Sequence, residues 1–193
     1  MTFPLEVLHA GAAEAAPRLL GAVLETRVDG EVTRGRIVET EAYLAEGDGA
    51  SHSAPGPTER NRAMFGPAGR AYVYLIYGMH LCFNVVTGEE GRGEAVLVRA
   101  IEPLDGLDVM RRRRGERPSD RDLARGPGRL TQALAIGREH DRAPLLGRRA
   151  TVRLLERSGG DALESIVVGP RVGITKDADL PLRFRIDGSR WTS

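Results

Sequence analysis

Ala71–Asn84 reads AYVYLIYGMHLCFN, and the folding of this run decides how the rest of the chain can be arranged. Three of the four tyrosines, Tyr72, Tyr74 and Tyr77, fall here in a sequence that is only 5% aromatic. Ala71–Ile76 and Leu81–Val86 are both rich in aromatic and branched residues, which favour strands. Between them, Tyr77-Gly78-Met79-His80 contains a glycine able to take the positive φ of a tight turn. The pattern predicts a β-hairpin whose tip carries Tyr77 and Met79. Hairpin tips are usually built from small polar residues, so large amphipathic ones need a reason. Two readings stand at this point: a strand pair buried in a core, or a wedge that enters something flat and stackable, such as a run of bases.

On the N-terminal side, His9–Leu20 predicts a short helix limited by Pro17. Ala22–Val28, the turn pair Asp29-Gly30 and Glu31–Val38 form a second hairpin signal, with the later strand continuing to Tyr43. Ala45–Arg70 is crowded with Gly, Pro, Ser and Asp and reads as loop. Beyond the aromatic hairpin, Gly93–Glu102 predicts a strand that is apolar except for Arg99. Leu104–Arg113 and Arg129–Ile136 predict helices on either side of Gly126-Pro127-Gly128. Thr151–Glu156, Ile166–Ile174 and Leu182–Ile186 predict further strands. Hairpin-joined strands without crossover helices point to an α+β fold: one domain over residues 1–193, a mixed, mostly antiparallel curved sheet with surrounding helices.

A chain of 193 residues suffices for one domain with a substantial core. Hydrophobic content of 41% and charged content of 28% fit an ordinary globular protein. No apolar run reaches membrane-spanning length, and Met1–Thr26 lacks a basic start followed by an apolar block, so no membrane association is expected. Cys82 is the only cysteine, which precludes an internal disulfide, and with four scattered histidines it predicts no metal site. Nearly all positive charge is arginine, Lys176 being the only lysine. Arg111–Leu130 carries eight arginines against Glu116, Asp120 and Asp122, a local excess of five charges. Such a block is either a solvated face or the electrostatic footprint of a nucleic-acid binder.

Glu39-Thr40-Glu41-Ala42-Tyr43 holds the first candidate chemistry. Alternate residues of a strand share a face, so Glu39, Glu41 and Tyr43 project together. This is an ordinary solvated sheet face, or a carboxylate acting as general base on water beside a stacked ring. The strand runs straight into the loop bearing His52, and functional groups concentrate where a rigid element meets a loop.

The motifs taken together resemble a known family. They are LLG (19–21), GRIVETEAY (35–43), ASHS (50–53), RNRAMFG (60–66), YVYLIYGMHLCFNVV (72–86), VLVRAIEPL (96–104), GPGRLTQAL (126–134), GPRVGI (169–174) and LPLRF (180–184). In order and content they resemble the alkyladenine (3-methyladenine) DNA glycosylases of the non-helix-hairpin-helix type, from about Leu19 to Trp191.

The resemblance implies a monofunctional glycosylase of base excision repair. It would extrude alkylated or deaminated purines from double-stranded DNA and hydrolyse the N-glycosidic bond, without a cofactor. By that resemblance Tyr77, with Met79 beside it, fills the space vacated by the extruded nucleotide, and the hairpin protrudes to insert into DNA. Tyr43 and His52 take opposite faces of the base, Tyr74 closes an edge, and Asn84 excludes the exocyclic amine of guanine. Glu41 activates the attacking water, and Arg99 holds that water and the neighbouring phosphate. Arg62, Arg111 and Arg114 are the expected contacts to the DNA backbone. Tyr72, Leu75 and Phe83 are expected to hold the hairpin to the sheet.

Glycosylases that also cut the backbone use an amine to form a Schiff base. With Lys176 far along the chain, only the N-terminal amine remains as an alternative, and the abasic site is expected to be left intact. His80 stands where animal members carry tyrosine, and Gly47-Asp48-Gly49 varies the loop before His52. Met1–Pro17 leaves no room for the long N-terminal extension of animal members. The expected protein is a cytoplasmic, nucleoid-associated monomer of bacterial type. Two further classes stay open: a catalytically idle damage- or RNA-binding module, and a hydrolase of free nucleosides.

Overall fold

A computed structural model describes residues 1–115, 118–157 and 165–193. The aromatic run is the predicted hairpin: β3 (Ala71–Ile76) pairs antiparallel with β4 (His80–Thr87), from Ala71 opposite Val85 to Ile76 opposite His80. The Met79 N–H donates to the Ile76 carbonyl at 3.3 Å to close the turn. Gly78 takes φ +70°, as its type suggests, but Tyr77 also sits at φ +53°. Positive φ at a bulky aromatic is uncommon and costs of order 1–2 kcal/mol.

The other strands are β1 (Val23–Val28), β2 (Glu31–Tyr43), β5 (Glu94–Asp105), β6 (Val152–Leu155), β7 (Ile166–Gly169) and β8 (Arg183–Ile186). They form one sheet in the order β3-β4-β5-β2-β1-β6, with β8 joining β2 beyond β1 and β7 pairing β8. Every described pairing is antiparallel. Four short α-helices are seen among the described residues: α1 (Leu5–His9), α2 (Ala12–Arg18), α3 (Leu107–Arg114) and α4 (Pro127–Ala133). This is the α+β domain with a curled antiparallel sheet that the sequence predicts.

Several boundaries differ. His9–Leu20 is not one helix, because α1 ends at His9, Gly11 turns the chain at φ +90° and α2 starts at Ala12. Pro17 lies inside α2 near its end. Only Ile166–Gly169 of the predicted Ile166–Ile174 strand is extended, since Pro170 cannot donate to a ladder. Glu116 and Arg117 of the basic block lie outside the described residues.

The period-2 alternation of the strands sorts the sheet into two faces. Ala71, Val73, Phe83, Val85, Val96, Val98 and Ala100 join the main core with α2, α4 and residues of β1 and β6. Their alternates Tyr72, Tyr74, Cys82, Val86, Ala95 and Leu97 form a second cluster with Met64, against which Tyr43, Phe65 and Ile76 pack. Phe83 is fully buried and does hold the hairpin to the sheet, a burial worth roughly 1.5–3 kcal/mol. Leu75 does not: it is 42% exposed, because it lies next to the tip, beyond the last core contact.

Register carries the second face across the sheet. Tyr72 opposes Asn84, Asn84 opposes Leu97, and Leu97 opposes Glu41. At about 4.8 Å per strand, residues from four strands stand in one row within roughly 15 Å. The β2–β5 ladder is irregular beside this row: Ile37 opposes Ile101, Glu39 opposes Ala100 and Thr40 opposes Val98. Arg99 is thereby left out of the ladder, and its carbonyl accepts from the Gly126 N–H at 3.1 Å. Bulges of this kind re-aim side chains.

Candidate active site

Glu41 is fully buried, and three donors converge on its carboxylate. The Tyr43 hydroxyl donates to Oε2 at 3.0 Å and the Val172 N–H to Oε1 at 2.8 Å. Arg99 Nη1 lies 3.3 Å from Oε1. Arg99 also reaches Glu39 at 3.3 Å, and Glu39 pairs with Arg183 at 2.6 Å. The predicted sharing of a face by Glu39, Glu41 and Tyr43 therefore holds, with the two acids differing in surroundings. Glu39 also accepts bonds from the Ser193 N–H and hydroxyl. A carboxylate has about four lone-pair positions, so Oε2 of Glu41, with one donor, keeps capacity for another.

Tyr43, His52, Met64, Tyr72, Tyr74 and Asn84 enclose a cavity of about 20 Å³, space for roughly one water. Tyr43, His52 and Tyr74 also line a cleft of about 610 Å³. The slot thus opens into a groove that also passes Arg99 and the exposed Tyr77. His52 packs edge-on to Tyr74 with ring centroids 4.5 Å apart, and Tyr74 lies 5.2 Å from Tyr72. His52 Nδ1 shares a hydrogen bond with the Tyr72 hydroxyl at 2.9 Å. Tyr72 therefore holds the hairpin and also lines the slot. Its burial was expected from the sequence; its place in the slot was not, because both faces of a fully covered sheet read as apolar.

Two anchors set the His52 loop. Asn61 is buried and donates from Nδ2 to the His52 and Gly56 carbonyls at 2.7 and 2.9 Å. Asp48 is bonded twice by the Arg171 guanidinium, at 2.6 Å each. Asn84 donates to the Tyr72 carbonyl at 3.0 Å, so its amide is held on the slot wall.

Burial governs protonation here. It lifts the phenols of Tyr43 and Tyr74 well above their ordinary range, with Glu41 and Cys82 respectively adding to the effect. Tyr72 is pushed up to about 12. Burial, helped by nearby Arg60, holds His52 below its ordinary value of 6.5, so the ring is neutral at neutral pH. Burial alone would raise Asp48, but bonds from Arg171 and the Leu44 N–H hold it low.

At the hairpin tip Tyr77 is 80% exposed and Met79 73% exposed. The basic block divides. Arg114, Arg125 and Arg129 line the cleft, together with His80 and Gly128. Arg111 is not among the cleft-lining residues and is paired with Asp108 at 2.5 Å and Asp120 at 2.7 Å. Arg62 is exposed and paired with Glu59. Lys176 is distant in sequence only: with Arg60 it lines a second groove, of about 450 Å³, that shares Ala50, His52 and Tyr72 with the slot region. Among the described residues no three His, Cys, Asp or Glu side chains gather to hold a metal ion, and no helix is long and apolar enough to cross a membrane. Sequence reasoning passed over Asp48 and Arg171 without a role, because nothing local to either shows that they pair.

Residues 6–190 match the model of the methylpurine-DNA glycosylase (MPG) family. The chain is 53% identical over 193 residues to a protein of Methanoculleus marisnigri, covering 100% of this chain and 99% of the relative. It is 47% identical to one of Burkholderia cenocepacia over 94% of this chain and 86% of the relative. A Chlorobaculum parvum protein is 49% identical over 95% and 87%. All three are provisionally named 3-methyladenine DNA glycosylase.

Proposed function

This chain belongs to the methylpurine-DNA glycosylase family, and we propose that it excises alkylated and deaminated purines from duplex DNA. The candidate lesions are 3-methyladenine, 7-methylguanine, 1,N6-ethenoadenine and hypoxanthine. The observation that carries the reading is the joining of two features in one place. A buried carboxylate with an adjoining arginine lies beside an aromatic slot, and the slot opens onto a basic groove overhung by an exposed aromatic tip.

That arrangement supports the following course. Extruding a nucleotide costs a few kcal/mol of stacking and pairing, and Tyr77 offsets it by filling the gap. The base enters from the cleft between Tyr43 and His52, since the closed part of the slot admits only about one water. Stacking contributes roughly 1–3 kcal/mol and is stronger for electron-poor alkylated rings. A neutral His52 adds no like charge against a cationic lesion. Water reaching Oε2 of Glu41 from the Arg99 side gives its proton to that carboxylate as it bonds to the anomeric carbon, while the N-glycosidic bond breaks and its electron pair departs with the base. The carboxylate meanwhile faces an oxocarbenium-like transition state. Lining the cleft supports Arg114, Arg125 and Arg129 as the phosphate contacts, ahead of the acid-paired Arg62 and Arg111.

Single-turnover assays on duplexes bearing one lesion each test the proposal. Tight binding of a lesion duplex with no base released would reduce the protein to a damage-binding module. The abasic product is expected to stay intact, and borohydride should trap no covalent complex. A trapped adduct abolished by Lys176→Ala would overturn the monofunctional reading.

A further inference from the structure

We propose that the Asp48–Arg171 ion pair is a positioning strap that sets the width and orientation of the base slot. The inference rests on the excision reading above, and it assigns a role to two residues that take no part in the chemistry. Both side chains are fully buried, and two 2.6 Å bonds join residues 123 positions apart. Neither the cleft nor the slot is lined by Arg171.

Each partner holds one wall. The Arg171 carbon Cζ lies 4.7 Å from the centroid of the Tyr43 ring, so the guanidinium covers one face of a ring that lines the cleft. Arg171 Nη1 donates to the Ala42 carbonyl at 3.0 Å, fixing the backbone between Glu41 and Tyr43. The next residue, Val172, directs its N–H at Glu41. On the other side, Asp48 accepts from the N–H groups of Leu44 and Ala50 at 3.0 and 3.2 Å, shaping the loop that delivers His52 two residues later. One ion pair therefore couples the Tyr43 wall, the His52 wall and the carboxylate.

Stability alone explains the pair poorly. Buried ion pairs often break even or lose against apolar residues of similar volume. Arg171 Nε–H is also buried without an acceptor among the described residues, a cost accepted at this position. The planar fork supplies what an apolar pair cannot: bonds in fixed directions to two segments, with a flat face left for the ring.

Three variants test the strap: Arg171→Lys, Asp48→Asn and the double apolar Asp48→Leu/Arg171→Met. The readouts are single-turnover release of 1,N6-ethenoadenine, that base's fluorescence change on duplex binding, affinity for undamaged duplex, and thermal melting. In each variant release is expected to slow tenfold or more and the fluorescence change to shrink. Affinity for undamaged duplex should stay within twofold. The double variant should melt no earlier than Arg171→Lys. Release within twofold of the parent in the folded double variant would overturn the proposal. So would losses of release and undamaged-duplex affinity that match in size, since the pair would then only hold the fold. If the parent itself releases no base, the excision reading fails, while the fluorescence change still reports on the strap.

Discussion

Glu41 illustrates how one residue type takes different parts through its neighbours. Glu39, two positions earlier on the same face, is paired with Arg99 and Arg183 and bonded by the Ser193 N–H. Glu41 shares Arg99 but, among the described residues, has only the Tyr43 hydroxyl on Oε2. Glu41→Gln is therefore expected to slow base release by about 100-fold or more, in line with a lost general base, while lesion-duplex affinity holds. Retained turnover would place the base elsewhere. His52 gives a pH prediction. Its folded-state value is depressed, so its contribution to stability is full above the ordinary 6.5 and is lost as pH falls through the lower folded value. The ring resonances of His52 should titrate with a midpoint below 6.5, and the stability gap between the parent and His52→Gln should narrow on acidification. A midpoint at or above 6.5 would mean that the ring is solvated.

At the scale of the element, the hairpin β3–β4 serves both faces and its tip. The period-2 rule divides Ala71–Asn84: Val73 and Phe83 bear out the core reading, Tyr72, Tyr74 and Asn84 line the slot, and Tyr77 with Met79 stands exposed, as the proposed wedge requires. The strands were legible because branched and aromatic runs flank a glycine. The positive φ of Tyr77 was not, since the turn imposes it against the residue's own preference. Gly78→Ala should cost about 1 kcal/mol in chemical denaturation, because a Cβ meets open space but the φ of +70° remains unfavourable. Tyr77→Ala should cut release from duplex by at least tenfold and leave any action on a free nucleoside unchanged. Equal losses on both substrates would remove the wedge role. The bulge that frees Arg99 from the ladder was likewise hidden, because a register slip depends on how two strands pair.

Over the whole molecule, the net value of +1 conceals an uneven distribution of charge. Both grooves flanking the slot are lined by cations, Arg99, Arg114, Arg125 and Arg129 in one, Arg60 and Lys176 in the other, and by no acidic side chain among the described residues. Phosphate contacts release counterions, so the salt dependence of binding to undamaged duplex counts them. Arg129→Gln and Arg125→Gln should each lower that slope by up to about 0.9, given that the two share Asp122. Arg111→Gln should leave it unchanged, its guanidinium being engaged by Asp108 and Asp120. An equal fall for Arg111→Gln would carry the DNA contact along α3 beyond the cleft-lining Arg114.

By itself the sequence determined the order of strands and turns, the alternation that separates Tyr72 from Val73 and Glu41 from Ala42, and the motif series that carries the family. These are local properties, written in propensity, period and turn chemistry. Tertiary structure alone decided which arginines face the cleft, that Lys176 stands near His52, and that Asp48 meets Arg171 behind Tyr43. Contacts of this kind join distant residues, Val172 to Glu41 across 131 positions and Ser193 to Glu39 across 154. Such pairings depend on how the sheet curls and where loops return, and a polar residue shows no periodic trace of the distant partner that will bury it.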